Sequence, residues 1–160
     1  MPANKSTVLP DKGPYNFQVL RGLNSARSLL SCKSSGSVDL FDADDGSGRQ
    51  IWSAEEVPDF PGVYNIKMQT GTDPTKMYLS CSVDGTTVNL IANDDLSGRQ
   101  RWRFVPANSP ICDYYNILVV GGTEKGRVYL SCSADGEKVD LIETDDGSGR
   151  QRWQAQKTST

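Results

Sequence analysis

Apolar positions in this chain fall into four short patterns that follow one another three times. The first opens on Tyr-Asn-apolar and continues by alternation: Tyr15-Asn16-Phe17 to Val19, Tyr64-Asn65-Ile66 to Met68, Tyr115-Asn116-Ile117 to Val119. A period of two marks a strand with one buried face. The second is Leu-Ser-Cys, with Leu30, Leu79 or Leu130 inward and Cys32, Cys81 or Cys132 facing the same way two residues on. The third is Val-polar-Leu, at Val38/Leu40, Val88/Leu90 and Val139/Leu141. The fourth is Gln-x-Trp, at Gln50/Trp52, Gln100/Trp102 and Gln151/Trp153. Tryptophan is too large to leave exposed in three equivalent places, so all three belong in the core.

Turn signals separate these runs. Ser35-Gly36, Asp84-Gly85 and Asp135-Gly136 lie between the second and third. Asp-Gly predicts a two-residue hairpin turn, because both residues accept positive φ. Asp-Asp-x-Ser-Gly-Arg lies between the third and fourth and reads as a turn or short loop. No stretch sustains apolar residues at helical spacing, so helix is expected to be scarce.

The closing tryptophans recur at a period of about 50 residues, which decides the architecture before local propensity does. Three units of four strands make twelve. The expected fold is all-β, a β-trefoil with pseudo-threefold symmetry, in which six strands form a short barrel and six form hairpins that cap it. One domain spans 1-160, with repeats at about 13-57, 58-107 and 108-157. A chain of 160 residues is large enough to bury such a core.

Composition narrows the chemistry. The net charge is −3, from 17 basic and 20 acidic residues, and no clustered basic face for nucleic acid is evident. There is no histidine, which removes the commonest general base and the commonest nitrogen metal ligand. Three of the four cysteines sit at the same place in each repeat, as small buried apolar side chains do, while Cys112 stands outside the pattern. No CxxC spacing points to structural zinc. The N-terminal MPANKSTVLPDKG has no apolar core of a signal peptide, and no apolar run is long enough for membrane insertion. A cytoplasmic location, or release without a signal peptide, is expected.

Three copies of Gln-x-Trp at constant period, each behind Leu-Ser-Cys and Val-x-Leu, resemble the ricin-B-type carbohydrate-binding β-trefoils. The compact form is also similar to the small cytoplasmic trefoil lectins of fungi. The resemblance runs from about Tyr15 to Trp153. It implies a multivalent, non-catalytic lectin. The implied partners are galactose- or N-acetylgalactosamine-containing glycans on glycoproteins or glycolipids. Two departures stand out. The family carries an aspartate after the leucine of the second strand, where this chain has Ser31, Ser80 and Ser131. The family's aromatic platform in the third-strand region is matched here by Phe41, Ile91 and Ile142, so only the first unit has a ring.

Sugar recognition calls for planar or bidentate hydrogen-bonding groups for vicinal hydroxyls, and an apolar surface for the C–H face. The candidate binding residues are Asp44, Asp45 and Arg49 in the first loop, Asp94, Asp95 and Arg99 in the second, and Asp145, Asp146 and Arg150 in the third. The hairpin residues Asp84 and Asp135 add two carboxylates. The competing reading gives each first Asp to the turn's own N–H groups and each Arg to an ion pair with the second. Tyr15, Tyr64 and Tyr115 are platform candidates, with core packing as their alternative. The copies differ, since Leu96 stands where the others have Gly46 and Gly147, so inequivalent sites are expected, the second more apolar at its mouth.

Other readings remain. A trefoil protease inhibitor would act through residues 55–62, where Pro58 and Pro61 stiffen the chain. A targeting module of a larger protein is another. Enzymatic activity is not expected, because adjacent aspartates on one turn do not span a substrate as a glycosidase pair must. The Asp-rich loop lacks the ligand spacing of a calcium loop, so no metal and no cofactor are expected.

Overall fold

Period-two alternation becomes twelve strands, with no helix among the described residues. The computed structural model describes residues 13–71, 75–107 and 114–158, so Cys112 lies outside them. The first repeat holds β1 (Tyr15–Val19), β2 (Leu29–Cys32), β3 (Val38–Phe41) and β4 (Trp52–Glu56). The second holds β5 (Val63–Met68), β6 (Tyr78–Cys81), β7 (Val88–Ile91) and β8 (Trp102–Pro106). The third holds β9 (Tyr114–Val119), β10 (Tyr129–Cys132), β11 (Val139–Ile142) and β12 (Trp153–Lys157).

Six strands close a ring. β1 pairs with β12 and β4, β5 with β4 and β8, and β9 with β8 and β12, all antiparallel. Closure leaves the barrel without an edge to aggregate. The other six strands form the hairpins β2–β3, β6–β7 and β10–β11, each continuing from a barrel strand at one register contact. This is the β-trefoil that the repeat predicts.

The hairpins also lock to one another in a cycle. Leu40 N–H donates to the Gly136 carbonyl at 3.1 Å, Leu90 N–H to Gly36 at 2.9 Å, and Leu141 N–H to Gly85 at 2.9 Å. Each tip therefore belongs structurally to the following repeat, and the third closes onto the first. Glycine is needed there for contact as well as for φ. A Cβ on Gly136 would stand 2.5 Å from Arg27 Cβ, and one on Gly85 would stand 2.7 Å from Arg127 Cβ.

All three tryptophans are fully buried, and each indole N–H donates to a leucine carbonyl of its own repeat, at Leu30, Leu79 and Leu130. Phe104 occupies the place of Ala54 and Ala155 and fills the barrel centre, with Phe17, Tyr64 and Tyr115 ring centroids 5.5–5.9 Å away. Tyr15 and Tyr64 are buried, and Tyr115 packs on the same core. The first-strand tyrosines are core residues.

Two local expectations change. Asp84-Gly85 and Asp135-Gly136 do not form two-residue turns. Ser82 N–H reaches the Thr87 carbonyl and Ser133 N–H reaches Lys138, leaving four-residue loops in which glycine alone of the pair takes positive φ. The aspartate instead spends its carboxylate on a local turn, accepting the amide of Thr86 or Glu137. The fourth strands begin at the tryptophans, so Gln50, Gln100 and Gln151 precede them in the turn.

Leu96 shows what the loop prefers. It holds φ 69°, where Gly46 and Gly147 hold 81° and 83°, and its side chain is 77% exposed. A Cβ at either glycine would meet nothing within 4 Å, so the cost is backbone strain rather than collision. Leu96→Gly is expected to stabilise the chain by about 1 kcal/mol and raise Tm by about 2–4 °C in thermal unfolding.

Candidate functional site

The Asp-Asp-x-Ser-Gly-Arg loops are wired alike in all three repeats. The first aspartate turns inward. Asp44, Asp94 and Asp145 accept the amides of Gly46, Leu96 and Gly147 on one oxygen. The other oxygen takes the Asn16, Asn65 or Asn116 side chain at 2.9–3.2 Å. Asp94 and Asp145 also pair with Arg101 and Arg152 at 2.8 and 2.9 Å, whereas Ile51 fills that place in the first repeat. Burial by itself would raise both carboxyls, but the arginine and asparagine hydrogen bonds outweigh it and hold them below the usual range. These three aspartates serve the loop. Asp145→Ala is expected to cost about 1–3 kcal/mol, seen as a lower urea midpoint at unchanged slope, and Asp44→Ala less, having no arginine to strand.

The glutamine fastens this loop to the hairpin. Gln50, Gln100 and Gln151 accept the amides of Asp45, Asp95 and Asp146 and donate to Ser31, Ser80 and Ser131 at 2.8–2.9 Å. The serines that replace the expected aspartate are thus buried partners of the glutamine. The arginines join neighbouring repeats. Their Cγ atoms pack over Gly71, Gly122 and Gly22, and Arg99 and Arg150 donate to the carbonyls of the latter two at 3.2 and 3.1 Å.

The second aspartate and the arginine nevertheless line clefts. A cleft of about 490 Å³ in the first repeat is lined by Asp45 and Arg49 together with the buried Ser31 and Gln50. Asp39 and Phe41, from β3, line it as well, with Lys33. Arg27, Cys32, Ser34 and Glu137 also line it, the last from the third repeat's hairpin. A cleft of about 250 Å³ occupies the same place in the second repeat, with Asp95, Arg99, Ser80 and Gln100 matched by Asn89, Ile91 and Val83. The third repeat carries Ser131, Asp140, Ile142, Asp146, Arg150 and Gln151 at the equivalent positions.

Asp39, Asn89 and Asp140 are functional candidates that sequence reasoning missed. They sit at the polar centre of Val-x-Leu and lie across the ladder from Ser31, Ser80 and Ser131. Their signal was visible: with Val and Leu inward, alternation sends the central residue to the outer face. Opposite the second-strand serines the partner strand thus carries a carboxylate in the first and third repeats, Asp39 and Asp140, and an amide, Asn89, in the second. Burial raises the pKa of Asp39 and Asp140, against the opposing pull of Lys33 and Arg27 on one and Lys138 and Arg127 on the other. Asp45, Asp95 and Asp146 are lowered, chiefly by the Ser47, Ser97 and Ser148 hydrogen bonds.

The remaining candidates lie elsewhere. Asp84 and Asp135 stand at the hairpin tips, outside both clefts, and accept the Ser82 and Ser133 hydroxyls. The 55–62 segment folds back on itself. Val57 N–H donates to Val63, Phe60 N–H to Val57, and Gly62 N–H to the Glu56 carboxylate at 2.8 Å. The three repeat cysteines are buried, and burial pushes their thiols up to about 12, far from reactive thiolates. No group of acidic or cysteine side chains that could hold a metal is present among the described residues.

No protein-family model matches the chain, and no curated protein matches it. Among solved structures it is similar to a designed threefold-symmetric protein, ThreeFoil, with a TM-score of 0.65 and 22% identity. The match covers 90% of this chain and 98% of that one. At that identity the likeness is one of fold, and the chain is a β-trefoil of three internal repeats.

Proposed function

We propose that the protein is a multivalent, non-catalytic lectin for glycans of the galactose and N-acetylgalactosamine type. One observation carries the reading: the same cleft, built from the same strand and loop positions, opens in the first and second repeats. Its walls present carboxylate or amide, guanidinium and serine or glutamine groups in a small concavity, the chemistry that meets vicinal hydroxyls. In the first cleft Phe41 adds a ring for a pyranose C–H face. Asn89 stands in the place of Asp39 in the second copy, an exchange that keeps a hydrogen-bonding group there but removes its charge and would abolish acid–base work. Weak sites on one rigid body gain avidity on a glycan-bearing surface.

The test is a glycan array with the whole chain, followed by red-cell agglutination in the presence of free galactose or N-acetylgalactosamine. Binding to galactose-bearing glycans, with agglutination inhibited by the free sugar, is expected. An array on which no glycan binds would sink the proposal. Binding confined to another sugar class would keep the lectin and remove its galactose assignment.

A further inference from the structure

We infer that the second cleft selects sugars bearing an acetamido group, and that Val83 and Asn89 set this preference. The inference rests on the lectin reading above. At two positions lining the cleft and one beside it, the second repeat departs from its siblings in the same direction. Asn89 stands for Asp39 and Asp140, Val83 for Ser34 and Ala134, and Leu96 for Gly46 and Gly147. Each change removes a charge or adds apolar surface.

The apolar residues are held outward. Val83 is 43% exposed on the cleft wall, with its carbonyl fixed at 2.8 Å by the Glu124 amide of the third repeat. Ile91, half-buried, lines the same cleft. Among the described residues the only other exposed large apolar side chains are Leu96, beside the cleft's Asp95, and Phe60. Phe60 is engaged by the Arg101 guanidinium, 5.3 Å from its ring. Leu96 keeps its exposed side chain at the expense of a strained backbone.

Charge follows the same logic. The first cleft is lined by Arg27, Lys33, Asp39, Asp45, Arg49 and Glu137. Only Asp95 and Arg99 are charged in the second, and they face each other at 3.8 Å. The Asn89 side-chain amide has no hydrogen-bond partner among the described residues. An asparagine amide offers an NH2 donor group and a carbonyl acceptor, which match the carbonyl and N–H of an acetamido group, whereas a carboxylate can only accept. The acetyl methyl then finds Val83 and Ile91. Asp39 suits a hydroxyl instead.

Residue-resolved NMR titration of the whole chain tests this, with galactose and N-acetylgalactosamine added separately. Amides around Val83, Asn89 and Ile91 are expected to saturate at about tenfold lower N-acetylgalactosamine than galactose, the combined effect of one buried methyl and one added hydrogen bond. Amides around Asp39 should show no such ratio. Val83→Ser and Asn89→Asp should each shrink the second cleft's ratio severalfold, in chains whose dispersed spectra report an intact fold. Equal saturation by both sugars at the second cleft, or the same ratio at the first, overturns the inference while the lectin stands. Silence of every cleft amide to both sugars overturns the lectin itself.

Discussion

Replacing Trp102 by alanine is expected to remove about 3–5 kcal/mol of stability, the usual cost of deleting a buried aromatic side chain. The indole is fully buried, at the junction where β8 meets β5 and β9. Its N–H also satisfies the Leu79 carbonyl at 3.1 Å, so the substitution strands a buried acceptor besides opening a cavity. Against the 5–15 kcal/mol typical of whole domains, roughly a fifth or more of the total is at stake. Thermal unfolding should drop by about 10 °C. It should also remain a single transition. In a linear repeat array a weakened unit can melt alone, because each unit touches only its neighbours in sequence. Here the hairpin of each repeat bonds into the next, and Gly136 returns the third to Leu40 of the first. A calorimetric trace that splits in two for Trp102→Ala would contradict this cyclic coupling.

The parts of this fold that could be read from sequence are those that solve one problem three times. Val-x-Leu and the alternation after Tyr-Asn mark a buried face whatever the tertiary partner, so twelve strands and the tryptophan core followed from spacing alone. The site was legible only in part, for two physical reasons. An aspartate in a turn can aim its lone pairs at the turn's own amides or outward, and its neighbours in sequence are the same either way. Asp44 and Asp45 are adjacent, yet the first is taken by Gly46 and Asn16 and the second lines the cleft. Asp84 and Asp135 were drawn into hairpin turns by the same competition. The second reason is distance along the chain. Glu137 reaches the first cleft only because the ring of repeats closes, and no local pattern announces that. Asp39 needed neither insight; its place between Val38 and Leu40 is the ordinary outward position of a half-buried strand.

Asp39→Asn separates a binding role from a structural one, because the two predict opposite changes. Burial, the largest influence on Asp39, raises its pKa, and Lys33 and Arg27 offset it incompletely. Asp45, Arg49 and Glu137 face it across the same cleft. A carboxyl whose pKa is raised by folding opposes folding while ionised, and that penalty disappears as pH falls through the raised value. Removing the charge should therefore leave the midpoint of unfolding at neutral pH unchanged or higher. Galactose binding at the first cleft should instead weaken by about tenfold to a hundredfold, the worth of a hydrogen bond to a charged acceptor. Acid should mimic the substitution in the parent chain. As pH falls from neutral toward the ordinary carboxylate range, the first cleft should lose galactose, because Asp39 takes up its proton at higher pH than an unburied carboxylate does. The second should hold on further, because Asn89 does not titrate and Ser97 keeps Asp95 ionised to lower pH. NMR titrations of both clefts at several pH values would show the separation. If Asp39→Asn lowered stability and left galactose affinity intact, Asp39 would be a structural residue and the cleft would lose its principal acceptor.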